Sequence, residues 1–323
     1  MVRPGGEYVD VADFLDAVES FFDQLTTIAV VPLAFAILSH LGRIACRTRA
    51  WRNIVSAAYP DSEVRWRDVF SAYAAGIGAN ALLPGRGGDL LRLYIARHRI
   101  EGSSYPTLAS SLLAETIFDS AVGILLLAWA LSAGILPGAS VLPDLPGIDW
   151  LWVFHNPRAA AGILFLLLVV ATILAITGVG KIIDFWARVR QGLTILRQPR
   201  RYLREVAAWQ ALDWACRLTA IFFFLRAFGM PSDLHSVFVV QVAQTLSTLL
   251  PLTPAGIGTE QALLVYMFSG EAPASDVLSF SVGVKIIVIA VNLTLGTIAT
   301  LATLRKFPWH VDVEREADAP ERA

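Results

Sequence analysis

The chain has 323 residues, is 55% hydrophobic and only 16% charged, and carries a formal net charge of −1 with a mean hydropathy of +0.58. An average soluble domain is about one quarter charged. The balance here excludes a soluble globular enzyme, a disordered chain and a nucleic-acid binder, and the long apolar runs indicate a polytopic membrane protein. Only three of the 26 basic residues are lysines, Lys181, Lys285 and Lys306. Arginine suits bidentate phosphate contacts, although composition does not separate that reason from genomic bias. Cys46 and Cys216 have neither metal spacing nor a disulfide framework.

Residues 1–23 are acidic, with Val11, Phe14, Leu15, Val18, Phe21 and Phe22 at helical spacing. They read as an interfacial helix with its acids on the wet face, not as a cleaved signal peptide. Gln24 to Gly42 is the first uncharged run, about the ~20 residues a span needs. Arg43, Arg47, Arg49, Arg52, Arg65 and Arg67 then read as a basic loop, which the positive-inside rule places in the cytoplasm. Thr107 to Ala133 is a span broken only by Glu115 and Asp119. An external loop follows over 134–157, then an uncharged span over 159–180 and a second basic loop running to 205. Val206 to Leu225 is a span carrying Asp213 and Arg217. Val277 to Leu304 is the last span, carrying Lys285, and 305–323 is a polar cytoplasmic tail. These spans place the N-terminus outside and the C-terminus in the cytoplasm of a cell membrane.

Two segments do not read as simple spans. Residues 68–99 have basic flanks on both sides, so they enter and return from the cytoplasm. The return arm Leu90 to Ala96 is too short to cross, since seven helical residues cover about 10 Å. Residues 234–270 enter and return from outside, divided at Pro251 to Gly258. The fold class expected is therefore all-α: about five full spans plus two broken re-entrant helical hairpins. The first membrane unit (24–133) and the second (206–304) then form an inverted repeat, joined by 134–205. Such repeats point to a substrate pathway between the halves. The simpler alternative is two hairpins that share turn chemistry.

The hairpin tips carry the specific letters. Asn80-Ala81-Leu82-Leu83-Pro84-Gly85-Arg86-Gly87-Gly88-Asp89-Leu90-Leu91-Arg92 resembles the first signature of the lysylphosphatidylglycerol synthase transmembrane region, a flippase-like membrane family. Leu250-Pro251-Leu252-Thr253-Pro254-Ala255-Gly256-Ile257-Gly258-Thr259-Glu260 resembles its second, a Pro-Gly-Gly-x-Gly-x-x-Glu pattern, with Ala255 where the family more often has Gly. Glu115, Asp119 and Lys285 also sit where that family tends to carry charge. The resemblance covers roughly residues 25 to 305. Its aminoacyl-phospholipid synthases add a soluble transferase domain after the membrane part. Residues 305–323 do not hold one, so the resemblance implies a stand-alone lipid-translocating protein.

Charges inside spans cost about 2.5–3.5 kcal/mol at mid-helix and need a reason. Glu115 and Asp119 share a helical face at i and i+4 and repel, and Lys285 is the expected counter-charge. Asp213 and Arg217, also i and i+4, are expected to pair within one helix. Arg86 sits among Gly85, Gly87 and Gly88, where open backbone amides, a helix N-terminus and a guanidinium suit an anion. The alternative is a local Arg86–Asp89 ion pair. Arg92 is one turn beyond, and Glu260 opens the corresponding helix after Gly258. The expected substrate-binding set is Asn80, Pro84, Arg86, Gly87, Gly88, Asp89, Arg92, Pro254, Gly256, Gly258 and Glu260. Glu115, Asp119, Asp213, Arg217 and Lys285 form the expected intramembrane charge network. The Arg43 to Arg52 cluster reads as topology signal and not as a site.

No metal ligand spacing, nucleophile pattern, P-loop or dinucleotide fingerprint is visible, so neither an enzyme nor a cofactor is expected. The leading reading is translocation of an anionic phospholipid or a polyprenyl-phosphate-linked lipid. Alternatives are a proton-coupled transporter of a soluble anion and a non-transporting subunit that presents lipid to another enzyme. The expected partners are an anionic membrane lipid and, beyond it, a second copy of the chain or a lipid-modifying enzyme, with no nucleic acid.

Overall fold

The computed structural model describes residues 28–82, 87–135, 185–249 and 258–304. All regular structure among them is helical: α1 (Val30–Ala58), α2 (Trp66–Leu82), α3 (Gly87–Arg99), α4 (Tyr105–Ser132), α5 (Pro199–Tyr202), α6 (Ala208–Ala227), α7 (Leu234–Leu249), α8 (Thr259–Met267) and α9 (Ala274–Leu304). A helical stretch over 185–192 and a 3₁₀ turn, Thr194–Arg197, precede α5, and a π-helical turn, Leu203–Ala207, joins α5 to α6. Among the described residues three helices are long and apolar enough to cross a membrane: Val30–Ala58, Tyr105–Ser132 and Ala274–Ala302. The expected interfacial helix over 1–23, the span over 159–180, the tail over 305–323 and the hairpin-tip residues 83–86 and 250–257 lie outside the described residues.

The first correction concerns α1. Its helix does not end at Gly42 but continues to Ala58, so Arg43, Arg47, Arg49 and Arg52 belong to a helix and not to a loop. No Pro, and no Gly beyond Gly42, interrupts residues 43–58, and Ala and Arg are strong helix formers. The charged residues therefore continue the helix instead of ending it.

α1 packs antiparallel along α6. The Ala29 N–H donates to the Ala227 carbonyl (3.0 Å) at one end of the pair. At the other, the Asn53 amide donates to the Glu205 carbonyl in the π turn (2.6 Å). α2 and α3 form the first helical hairpin. The Asn80 Oδ1 accepts the Gly88 N–H (2.7 Å), and Gly88 lies so close to the Gly76 carbonyl that no side chain fits between them. The return arm has 13 residues, not seven. It is about 20 Å long at 1.5 Å per residue, still shorter than a bilayer core.

α7 and α8 pack together as the second hairpin, and both contact other helices of their half. The Asp233 carboxylate caps α7 by accepting the Ser236 N–H (2.7 Å). That hydrogen bond holds the exposed Asp233 carboxyl below the ordinary carboxylate range. A depressed folded value stabilises the helix above the unfolded carboxylate pKa, and the contribution is lost as pH falls through the folded value. Asp233→Ala is expected to cost about 1 kcal/mol in a detergent unfolding titration near neutral pH. The gap between variant and parent should close in acid, and a gap that stays constant would assign the loss to something other than the charged cap.

Three apolar clusters hold the helices. One joins α6, α7, α8 and α9 around Phe224, Val240, Leu264, Phe268 and Phe280. A second joins α1, α2, α3 and α4 around Trp51, Val69, Ala72, Ile95 and Leu108. A third seats Ile195 and Val206 against Ala50, Ile54 and Ala114. Across the two membrane units, α2 crosses α9 where Gly78 faces Gly296. Small residues permit backbones to approach closely in this way.

Candidate functional site

The junction of α1, α4 and α6 concentrates charge. Arg47, on α1, lies at its centre. Its Nε is 2.8 Å from Glu115 Oε1, its Nη2 donates to Asp119 Oδ2 at 2.6 Å, and its Nη1 donates to Asp213 Oδ2 at 3.3 Å. One planar fork thus meets three carboxylates, which a lysine ammonium cannot do with fixed geometry. Arg43, one turn earlier, stands 3.9 Å from Asp213. Glu115 and Asp213 are only 2% and 1% exposed, so each is a carboxylate that must be paired where it sits.

A second arginine enters from the hairpin. Arg92, on α3, donates to Glu115 Oε2 at 2.9 Å. Its guanidinium lies 3.7 Å from the Trp51 ring centroid and 4.5 Å from that of Tyr73. Trp51 is held in turn by its indole N–H, which donates to Ser111 Oγ (2.9 Å). Two aromatic faces therefore fix the plane of the Arg92 fork, a cation–π arrangement. The α6 side of the junction is tied in by Trp214, whose indole donates to Asp119 Oδ1 (2.9 Å). Gln210 adds its amide, which donates to the Glu115 backbone carbonyl (2.6 Å). The π turn just before α6 inserts an extra residue into the helical phase, and Gln210, Asp213 and Trp214 lie on the face that results.

A separate pair occupies the second unit. Lys285, on α9, donates to Glu260 Oε2 on α8 at 3.0 Å. Gly258 opens α8 with φ at +93°, a conformation that favours glycine, and its N–H donates to Gln261 Oε1 (2.7 Å). Elsewhere between the units, His40 Nε2 and Asn292 Oδ1 share a hydrogen bond of 2.9 Å.

Several sequence expectations change here. Glu115 and Asp119 do not take Lys285 as counter-charge; Arg47 and Arg92 fill that role, while Lys285 meets Glu260. Asp213 and Arg217 do not form the expected intrahelical pair. Asp213 faces Arg43 and Arg47 on α1, and Arg217 lies over the Trp214 ring at 5.0 Å. A shared helical face does not decide pairing when a facing helix offers a better-placed cation. The Arg43–Arg47 cluster, read as topology signal, supplies the centre of the junction. His40, Arg43 and Arg47 recur at i, i+3 and i+7, one face of any helix that continues past Gly42, and that periodicity is the signal that marks them.

Among the expected binding residues, Asn80, Gly88 and Asp89 meet at the α2–α3 hairpin, where the Asn80 amide also donates to Asp89 Oδ1 (3.3 Å). Gly87 begins α3. Pro84, Arg86, Pro254 and Gly256 lie outside the described residues. Among the described residues no group of three or more His, Cys, Asp or Glu side chains has a metal-holding arrangement.

The model of the family described as lysylphosphatidylglycerol synthase TM region matches residues 8–296. No curated protein and no solved structure gives a significant match.

Proposed function

Because the chain belongs to the lysylphosphatidylglycerol synthase TM-region family, we propose that it is a lipid translocator of the cell membrane and not an enzyme. Its cargo is an anionic phospholipid or a polyprenyl-phosphate-linked lipid. The observation that carries this reading is the polar junction between the two membrane units. Arg43 and Arg47 of the first face Asp213 of the second, and Trp214 and Gln210 of the second bond to the Asp119 side chain and the Glu115 backbone of the first. An apolar bilayer tolerates such a seam only where protein or a watery cavity covers it.

The packing also supports an inverted repeat. α1 contacts α2 as α6 contacts α7, α2 contacts α3 as α7 contacts α8, and α3 contacts α4 as α8 contacts α9. The crossing of α2 with α9 has its counterpart in α4 with α7. Each hairpin return arm is joined to its closing helix by an ion pair, Arg92–Glu115 in the first unit and Glu260–Lys285, with the signs reversed, in the second. Rocking one unit against the other about the seam would open it alternately to each side. The head group meets the glycine-rich tips, with Arg86 as its principal contact, while the chains stay in the bilayer. Arg92, on α3, carries the contact inward to Glu115. In this reading the N-terminus is outside, the C-terminus is cytoplasmic, and both hairpins are re-entrant.

The test is reconstitution in liposomes with fluorescent anionic phospholipids, scored by transbilayer movement. Arg86→Ala is expected to insert and fold like the parent and to lose movement by about tenfold or more, the loss of one charge-assisted contact. Normal movement by that variant would remove the head-group role from the first hairpin. No movement by the parent across several lipid classes, with uptake of a soluble anion under a pH gradient, would replace the lipid reading altogether.

A further inference from the structure

An amphiphile-shaped feature flanks the first hairpin and shares no residue with the Arg47 junction. Leu90, Leu93 and Tyr94 of α3, Pro106 and Ala109 of α4, and Phe185 line a trough of about 690 Å³. Leu90 is 71% exposed. Exposed apolar side chains are ordinary on a membrane protein, so exposure alone identifies nothing. The distinguishing feature is what the trough runs into. Its Tyr105–Pro106 end is shared with a polar pocket of about 530 Å³ lined by Arg97, Ser103, Ser104, Arg188 and Gln191.

The two halves of this feature are in helical register. Arg97 is three residues beyond Tyr94 on α3, and Arg188 is three residues beyond Phe185 on the neighbouring helical stretch. Each helix therefore presents an apolar side chain to the trough and, one turn later, an arginine to the polar pocket. Among the described residues, neither arginine has a carboxylate within ion-pair distance, in contrast to Arg43, Arg47 and Arg92. Ser103 and Ser104 place hydroxyls at the same end, with Ser103 Oγ donating to the Arg97 carbonyl (3.2 Å). Glu101 lines a neighbouring pocket that shares Arg97, Gly102 and Tyr105, and it does not line this one.

We infer that this trough and its paired arginines bind one anionic phospholipid, acyl chain along α3 and α4 and phosphate between Arg97 and Arg188. Charge complementarity selects the anionic class, since two guanidiniums suit a phosphodiester. The apolar trough selects a lipid over a free phosphate. The site holds lipid at the flank of the hairpin, and the inference does not depend on translocation through the junction between the units.

The test uses the full chain carrying Arg86→Ala, so that a head-group site at the hairpin tip does not contribute. The purified protein is equilibrated with mixed micelles of equal phosphatidylglycerol and phosphatidylcholine, and retained lipid is counted by native mass spectrometry. Phosphatidylglycerol is expected to be preferred. Adding Arg97→Gln with Arg188→Gln should cut that preference about thirtyfold, the effect of two arginines near an anionic surface. Ala109→Trp, which fills the trough, should lower retention of both lipids, and inorganic phosphate should displace neither. Preference that survives the double arginine substitution overturns the proposal. So does full displacement by inorganic phosphate, which would mark a soluble-anion site. Transbilayer movement by Arg97→Gln/Arg188→Gln in the otherwise native chain should match the parent, which separates failure here from failure of the translocation reading.

Discussion

Arg47→Met should destabilise the protein by about 3–5 kcal/mol, the usual result of removing one partner from a buried ion pair. Met keeps an unbranched apolar stem in place of the arginine's, so the packing of that stem along α1 is largely kept. What is lost is the cation facing Glu115, Asp119 and Asp213. Arg92 still pairs with Glu115 and Trp214 still donates to Asp119. Asp213 keeps only Arg43, at 3.9 Å, and it is the carboxylate left worst off. Combining Arg47→Met with Asp213→Asn should therefore recover part of the loss, a coupling that a double-mutant cycle measures directly. The experiment is thermal or denaturant unfolding in detergent. Lys at position 47 should fall between Met and the parent, because one ammonium keeps the charge and loses the fork. If the Met variant unfolds with the parent, the junction contributes no stability and its charges serve another purpose.

The second large effect is steric. A Cβ on Gly78 would stand 2.7 Å from the Gly296 Cα and 3.1 Å from the Asn292 carbonyl. A Cβ on Gly296 would stand 2.6 Å from the Gly78 Cα and 2.9 Å from the Ala74 carbonyl. All four obstacles are backbone, so no rotamer change relieves them. Gly78→Ala must push α2 and α9 apart, and overpacking of this kind costs about 1–3 kcal/mol. Because Asn292 is one turn from Gly296, the same displacement threatens the His40–Asn292 hydrogen bond. Gly123→Ala in α4 is the matched control, since among the described residues its new methyl meets no atom within 4 Å. It should be neutral or stabilising by up to about 1 kcal/mol through helix propensity. Equal melting of Gly78→Ala and Gly123→Ala would mean that the α2–α9 approach is looser than its backbone distances.

The long apolar runs at Thr107 to Ala133 and Val277 to Leu304 were legible in the sequence because length and hydropathy are local properties. The helix–break–helix pattern over 68–99 was legible for a similar reason, through the glycines that interrupt it. α1 was not, because arginines after an apolar run are read by the positive-inside rule as flanks, whereas here the helix carries them on for four more turns. Pairing was the least legible. Lys285 is the only lysine in a span and so attracted the acids of α4, yet Arg47 reaches them from a helix 68 positions away in sequence from Glu115. Hydropathy ranks residues one at a time, and only the antiparallel packing of α1 on α6 determines which charges meet.

That packing has a consequence for how the chain is made. Arg47 leaves the ribosome 72 residues before Asp119 and 166 before Asp213. At about 5–20 residues per second, the first span waits on the order of ten seconds or more for its last acidic partner. During that interval Arg47 has at most Glu115 and Asp119 of α4 as partners, and Asp213 is still to be made. Synthesis order therefore makes α6 the last of the three helices that can join the junction, after α1 and α4.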